Sequence, residues 1–264
     1  MTMDKMDLSS DFGECENGDY TVSFNAISVR GERHKRNAEH NQDCFLIGIK
    51  NQIKYAIIAD GLGSCGNSHI GSKKGTELFE KMVNEHLKYD NVLSEDDVRR
   101  FNQRFIENWK NLFQEGGENY DTTLLYVVLL KNGVLVGSIG DGMILYSLKN
   151  EVVYIKARGN LFSNQTCSIA STNAINYMNG FFAPLNFIDE IPIIFILATD
   201  GVSDDLETKN LDALPVYLYE ELMKHGVVKM QSLIEEWLLN WQTQNHSDDR
   251  TFCVLTLWKA GEFG

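Results

Sequence analysis

The apolar run Ala56-Ile57-Ile58-Ala59 ends in Asp60 and passes at once into Gly61-Leu62-Gly63-Ser64-Cys65-Gly66. Four consecutive apolar residues closed by a glycine-rich turn read as a buried strand. The glycines supply the torsions that let the backbone turn sharply behind it. The carboxylate of Asp60 is thereby fixed at the rim of a sheet, which is where a metal ion could be held. Three further strand boundaries carry aspartates: Asp141 in Gly140-Asp141-Gly142, Asp200 in Thr199-Asp200-Gly201, and Asp248 with Asp249 ahead of the last apolar run. One aspartate before a glycine is an ordinary turn residue; it is their recurrence beside apolar strands that points to a metal site. Oxygen ligands from distant turns suit hard Mg2+ or Mn2+, whereas the scattered cysteines and histidines offer no zinc spacing.

The strands that deliver these residues follow from pattern. Thr21 to Val29 alternates; Cys44 to Ile49 follows Asn41-Gln42-Asp43; Asn51-Gln52 turns into Ile53 to Ala59. Leu124 to Leu130 and Val134 to Ile139 flank the hairpin signal Lys131-Asn132-Gly133. Met143 to Leu148 and, after Lys149-Asn150, Glu151 to Ile155 extend this into a predicted antiparallel meander. Ile193 to Ala198 and Phe252 to Trp258 complete the set.

Helical spacing recurs in Ile70, Lys74, Leu78, Met82 and Val83, with Phe79 alongside, and Gly71 and Gly75 are expected to let another backbone approach. It recurs again in Val98, Phe101, Phe105, Trp109 and Leu112, behind a Ser94/Asp97 capping box and ahead of Gly116-Gly117. Two more helices are expected, from about Asn210 to a stop at Gly226 and over Met230 to Trp241. Gly31 to Asn41 reads as a polar connector, unusually basic for this chain through Arg33, His34, Lys35 and Arg36. Arg158 to Pro184 lacks a period and reads as a surface flap.

With 43% hydrophobic residues in 264 and no break in composition, one domain over residues 21–264 is expected, after a polar, acidic extension at 1–20 that is either disordered or an added edge strand. A net charge of −13 speaks against a nucleic-acid partner but not against phosphate chemistry, since bound cations reverse the local field. The five dispersed cysteines and the lack of an apolar leader or of 18 consecutive apolar residues lead us to expect a reduced, cytoplasmic protein with no membrane partner.

Taken in order, Asn41-Gln42-Asp43, Ala59-Asp60-Gly61-Leu62-Gly63-Ser64, Asp121-Thr122-Thr123-Leu124, Gly140-Asp141-Gly142, Ala198-Thr199-Asp200-Gly201-Val202-Ser203-Asp204 and Asp248-Asp249-Arg250-Thr251 resemble the metal-dependent serine/threonine protein phosphatases of type 2C, especially their bacterial branch. The resemblance runs from about Ser23 to Trp258. It implies an α+β fold, a PP2C-like α/β/β/α sandwich with two central antiparallel sheets, and Mn2+- or Mg2+-dependent hydrolysis of phosphoserine and phosphothreonine in a phosphorylated protein substrate.

By the same resemblance, Asp60 would bridge two ions with help from the Gly61 carbonyl, and Asp200 and Asp248 would complete the ligands of the first. Asp43 would support metal-bound water, and Asp141 with Asp200 would serve a weaker third ion. Asp204 would steady its loop or hydrogen-bond near the ions, and Asp249 would back the ligands without binding an ion. Two positions depart from the family pattern. Gln42 stands where many members have a ligating glutamate, and Ala38 where an arginine typically holds substrate phosphate. His34, Arg33 and Arg36 become the candidates for phosphate binding or proton transfer. The same departures motivate the alternative of a non-catalytic phosphatase-like binding module; hydrolysis of a small phosphorylated metabolite is the third reading.

Overall fold

The computed structural model describes residues 7–113, 117–148, 151–156, 167–241 and 247–261. In chain order its elements are β1 (Leu8–Asn17), β2 (Tyr20–Val29), α1 (Glu32–Asn37), β3 (Asp43–Lys50), β4 (Ile53–Asp60), α2 (Ser68–His86), α3 (Glu95–Phe113), β5 (Leu124–Leu130), β6 (Gly133–Ile139), β7 (Met143–Leu148), β8 (Glu151–Lys156), α4 (Ala174–Tyr177), β9 (Asn179–Pro184), α5 (Phe187–Glu190), β10 (Ile193–Ala198), α6 (Asp200–Ser203), α7 (Ala213–Leu239) and β11 (Arg250–Lys259). They fall into two compact units. One gathers the chain up to Asn41, Met143–Ile155 and the chain from Asn186 onward; the other gathers Gln42–Gly142 and Lys156–Leu185.

The second of these units is built on a five-stranded antiparallel sheet in the order β3-β4-β5-β6-β9. Phe79 and Met82 of α2 and Phe105 and Trp109 of α3 pack with Ile57, Ala59 and Tyr126 of the sheet to form its core. The β3–β4 hairpin turns through Asn51 and Gln52, both at positive φ, as a two-residue turn matched to strand twist requires. The Ser94/Asp97 box starts α3 as expected: the Asp97 amide donates to Ser94 Oγ at 3.2 Å, and the Ser94 amide to Asp97 Oδ2 at 3.0 Å.

The buried face of α2 keeps Phe79, Met82 and Val83 of the expected stripe, with Leu78 partly buried, and departs from it at Ile70 and Lys74. Gly71, Gly75, Thr76, Phe79, Met82 and Val83 face inward, while Ile70 is exposed. The reason is a backbone approach that only glycine allows, because a Cβ on Gly71 would lie 1.6 Å from the Tyr120 carbonyl oxygen.

The first unit carries a six-stranded sheet in the order β1-β2-β11-β10-β7-β8. Leu218, Leu222, Met230, Ile234 and Leu238 of α7 pack with Ile27, Ile196 and Val254 of the sheet. The expected break at Gly226 is present: its φ of 79° and ψ of 170° interrupt α7 and divide it into two helical stretches. β1 pairs along its whole length with β2, so the described part of the N-terminal stretch adds an edge strand.

Three expectations are corrected. The meander stops at Gly140-Asp141-Gly142: β6 pairs with β5 and β9, and β7 pairs with β10 in the other sheet. Glycines at φ 105° and 98° redirect the chain there, where a hairpin pattern alone implied continuation. The basic connector contains the helical turn α1, which ends at Ala38 in the left-handed region. The end of the expected flap is β9, an ordered edge strand whose mostly exposed residues leave no apolar period to detect. Residues 158–166 of that flap, the Lys149-Asn150 turn and Gly116 lie outside the described residues.

Candidate metal and active site

In the five-stranded sheet, antiparallel register collects the motif residues at one end. Asp43 opens β3 directly opposite Asp60, which closes β4. Leu124, the first residue of β5, stands opposite Ile139, the last of β6. The turns at Asp60-Gly61, Asp121 to Thr123 and Gly140-Asp141 therefore lie side by side.

The backbone of Asp60 is clamped on both sides. Its amide donates to Thr123 Oγ1 at 2.9 Å, and its carbonyl accepts from the Thr123 amide and from Thr122 Oγ1, each at 2.8 Å. The Gly61 amide donates to the Gln42 carbonyl at 3.1 Å, and the Leu62 amide to the Asp121 carbonyl at 3.0 Å. Position 61 must be glycine, because a Cβ there would lie 2.6 Å from the Ser68 carbonyl oxygen. Carboxylate oxygens of Asp60 and Asp141 lie within 4.8 Å of one another. Two carboxylates at that separation repel each other unless a cation or a proton is shared, and oxygen donors on fixed turns fit a hard divalent ion. Asp43, 8% exposed, completes the acidic rim.

In the six-stranded sheet the same logic operates. Arg250, the first residue of β11, is opposite Val29, the last of β2; Ala198, the last of β10, is opposite Met143, the first of β7. The turns at Arg30-Gly31, Asp248-Asp249 and Thr199-Asp200 therefore share one end of this sheet. Asp200 is the first residue of α6, and exposed Asp204 caps its end, donating its backbone amide to the Asp200 carbonyl at 3.0 Å. Gly201 allows α6 to approach Asp249, whose carbonyl oxygen would be 2.0 Å from a Cβ at that position.

The strand-to-helix turn before α1 is stapled to the 247–249 segment. The Gly31 amide donates to Asp249 Oδ1 at 2.7 Å, and the Arg33 amide to the Ser247 carbonyl at 2.9 Å. Buried His34, 1% exposed, sets Nδ1 2.9 Å from Oδ2 of Asp249, itself 2% exposed. That contact raises the imidazole pKa, and burial of the ring works against it. With Nδ1 protonated toward Asp249, Nε2 accepts from Arg33 Nη2 at 3.1 Å, and the same guanidinium nitrogen donates to Asp248 Oδ1 at 3.2 Å. His34, Asp248 and Asp249 thus form one cluster with ligand atoms within 4.8 Å.

Among the residues singled out by sequence, Asp43, Asp60, Gly61 and Asp141 gather at one end of the five-stranded sheet, while Arg33, His34, Asp248 and Asp249 gather at one end of the six-stranded sheet. Arg36 does not join them; its Nε donates to the Glu32 carbonyl within its own helix. Sequence reasoning missed Gly31, whose need for glycine comes from a segment more than 200 residues away, and it assigned no role to Asp121. Among the described residues no helix is long and apolar enough to cross a membrane.

A family profile described as protein phosphatase 2C matches residues 30–244. Among curated proteins, none matches the chain in sequence. Solved structures resemble it at low identity. The serine/threonine phosphatase Stp1 from Staphylococcus aureus is 16% identical, with a TM-score of 0.61 over 88% of this chain and 94% of that one. The catalytic domain of the serine/threonine protein phosphatase PstP, in complex with two manganese ions, is 16% identical, with a TM-score of 0.58 over 90% and 99%. RsbX in complex with magnesium is also 16% identical, with a TM-score of 0.56 over 94% and 100%. These likenesses show the PP2C-like fold, the class expected from the sequence.

Proposed function

The chain belongs to the protein phosphatase 2C family, and from that premise we propose that it hydrolyses phosphoserine and phosphothreonine in phosphorylated proteins in a metal-dependent reaction. The observation that carries this reading is the carboxylate pair of Asp60, whose backbone is clamped, and Asp141, with oxygens within 4.8 Å of one another at the end of a sheet. Asp60, the Gly61 carbonyl, Asp200 and Asp248 would hold two Mn2+ or Mg2+ ions, with Asp141 serving a weaker third; relatives of this fold solved with manganese and with magnesium support that choice. When bound, the ions would supply positive charge against the phosphate dianion and make a water more acidic and so a better nucleophile.

The protein's own residues prepare that reaction. Asp43, at the start of β3 opposite Asp60, is assigned to accept a hydrogen bond from the attacking water. Arg33 is assigned to the substrate phosphate: its side chain is 45% exposed, and only Nη2 has a hydrogen-bond partner among the described residues, which leaves Nε and Nη1 for a second anion. His34, buried and tied to Asp249, orients that guanidinium and Asp248 from behind. Asp204 steadies the Asp200 turn through the hydrogen bond its backbone amide donates to the Asp200 carbonyl. A cytoplasmic location is part of the proposal, on the strength of five cysteines none of which is in a disulfide.

A substrate panel tests the reading. With Mn2+ present, phosphothreonine and phosphoserine peptides should be turned over with higher kcat/KM than small phosphorylated metabolites, and a chelator should abolish both. A folded protein that releases no phosphate from any peptide across a range of Mn2+ and Mg2+ concentrations would refute it, and Gln42 and Ala38 would then favour the binding module.

A further inference from the structure

Asp121 has no part in the proposed chemistry, yet it is a buried carboxylate, 8% exposed, at the centre of the hydrogen bonds around Asp60. Burial pushes its carboxyl pKa up; hydrogen bonds from the Ser168 hydroxyl and the Ala170 and Thr122 amides oppose that shift. The two amides converge on Oδ1, each at 2.9 Å, and the Ser168 hydroxyl donates to Oδ2. An ionised carboxylate so buried costs free energy unless its oxygens are satisfied. Here they are satisfied by joining two segments 47 residues apart.

One segment is Ser168 to Ser171, further secured by the Ile169 amide on the Thr122 carbonyl at 3.1 Å and by Lys110 Nζ on the Ser171 carbonyl at 2.9 Å. The other is Asp121 to Thr123, whose main chain and hydroxyls hold Asp60 and Leu62 on either side of Gly61. A shift of the Ser168 turn therefore reaches the Asp60 turn through the Asp121 side chain and the Ile169–Thr122 backbone bond.

We propose that Asp121 is a positioning residue of the metal centre, anchoring the Ser168–Ser171 turn so that residues 121–123 hold Asp60 and Gly61 in their ion-binding geometry. The proposal deepens the functional reading and rests on Asp60 and Gly61 being metal ligands. It also makes the Ser168 turn a point from which divalent-ion affinity is controlled. Residues that orient metal ligands without touching the ion typically change affinity about 10- to 100-fold when removed.

Calorimetric titration of the full chain with Mn2+ needs no turnover and tests this directly. Asp121→Ala should bind Mn2+ about tenfold or more weakly. Asp121→Asn should stay within about threefold of wild type, because its carbonyl oxygen can accept both amides and its NH2 can donate to Ser168 Oγ, whose proton can turn to Ser171 Oγ at 3.2 Å. Tyr126→Phe removes a buried 2.8 Å bond to Asn102 in the same unit and should lower stability while leaving Mn2+ affinity alone. A merely structural role would give Asp121→Ala the same pattern as Tyr126→Phe, and that result overturns the proposal. So does an asparagine variant as weak as the alanine variant. Should Asp121→Ala not fold, Ser168→Ala carries the test: a loss of about threefold supports the proposal and unchanged affinity overturns it. Wild type that binds no Mn2+ would overturn the metal-centre reading itself, a failure distinct from a change confined to the variants.

Discussion

Replacing Gly31 with alanine tests how the Asp248–Asp249 end of the six-stranded sheet is held together. A Cβ at that position would lie 2.3 Å from the Asp248 carbonyl carbon and 2.4 Å from the carbonyl oxygens of Asp248 and Ser247, all backbone atoms. Ordinary contact needs roughly 3.5 Å, so α1 and the 247–249 segment must part by about 1 Å. Besides the exposed contact of the Arg33 guanidinium with Asp248, three interactions lie across that seam: Gly31 amide to Asp249, Arg33 amide to Ser247, and His34 to Asp249. The Gly31 hydrogen bond to the buried carboxylate is worth about 1.5–3 kcal/mol and the neutral one about 1 kcal/mol, with the His34–Asp249 contact adding to them.

Partial retention of these bonds brings the expected loss to about 3 kcal/mol, or a fall in Tm of roughly 6–12 °C. Because Asp248 moves with the seam, Mn2+ affinity should fall as well. Thermal unfolding and Mn2+ calorimetry on the same preparation would read both. A Gly31→Ala protein with Tm within 2 °C of wild type and unchanged Mn2+ affinity would refute the reasoning, since the seam would then have room that the geometry denies.

Removing the guanidinium with Arg33→Ala should raise KM for a phosphothreonine peptide about tenfold or more, the worth of one charge-assisted phosphate contact, with a smaller change in kcat; an unchanged KM in steady-state kinetics would contradict the assignment. The folded-state pKa of His34 is raised, so its contribution to stability is fully present below the unfolded value of about 6.5 and is lost as pH rises through the folded value. Urea unfolding of metal-free protein should therefore show stability declining above about pH 6.5, with His34→Gln flattening that slope; parallel slopes would contradict the His34–Asp249 pairing. Ser94→Ala should cost about 1 kcal/mol by opening the α3 cap. The same change should let Asp97, held at about 2 chiefly by the Ser94 hydroxyl, titrate nearer to an ordinary carboxylate, which NMR would follow.

Much of the site was legible because antiparallel pairing turns sequence position into geometry. An aspartate after one strand and an aspartate before its neighbour land at the same end of a sheet, as Asp60 and Asp43 do. The apolar runs and the Lys131-Asn132-Gly133 turn were likewise enough to fix β4, β5 and β6. What stayed hidden depended on contacts distant in sequence. Gly140 and Gly142 looked like a hairpin turn, and only the pairing of β7 with β10 shows that the chain leaves one sheet for the other. The basic run at Arg33 to Arg36 looked like a uniform patch. Its residues separate by helical phase, with His34 buried against Asp249 and Arg36 turned onto its own helix. β9 escaped detection because an edge strand with little buried surface carries no apolar alternation.

The central claim is that phosphate release depends on a metal held by Asp60. Its most direct test is the initial rate of phosphate release from a phosphothreonine peptide as Mn2+ is titrated, for wild type and for Asp60→Asn shown to be folded. The account predicts saturable, Mn2+-dependent turnover in the wild type and a loss of at least about a hundredfold in the variant, the scale on which removing a group that stabilises transition-state charge acts. Equal rates in the two proteins, or turnover indifferent to Mn2+ and to chelator, would contradict it.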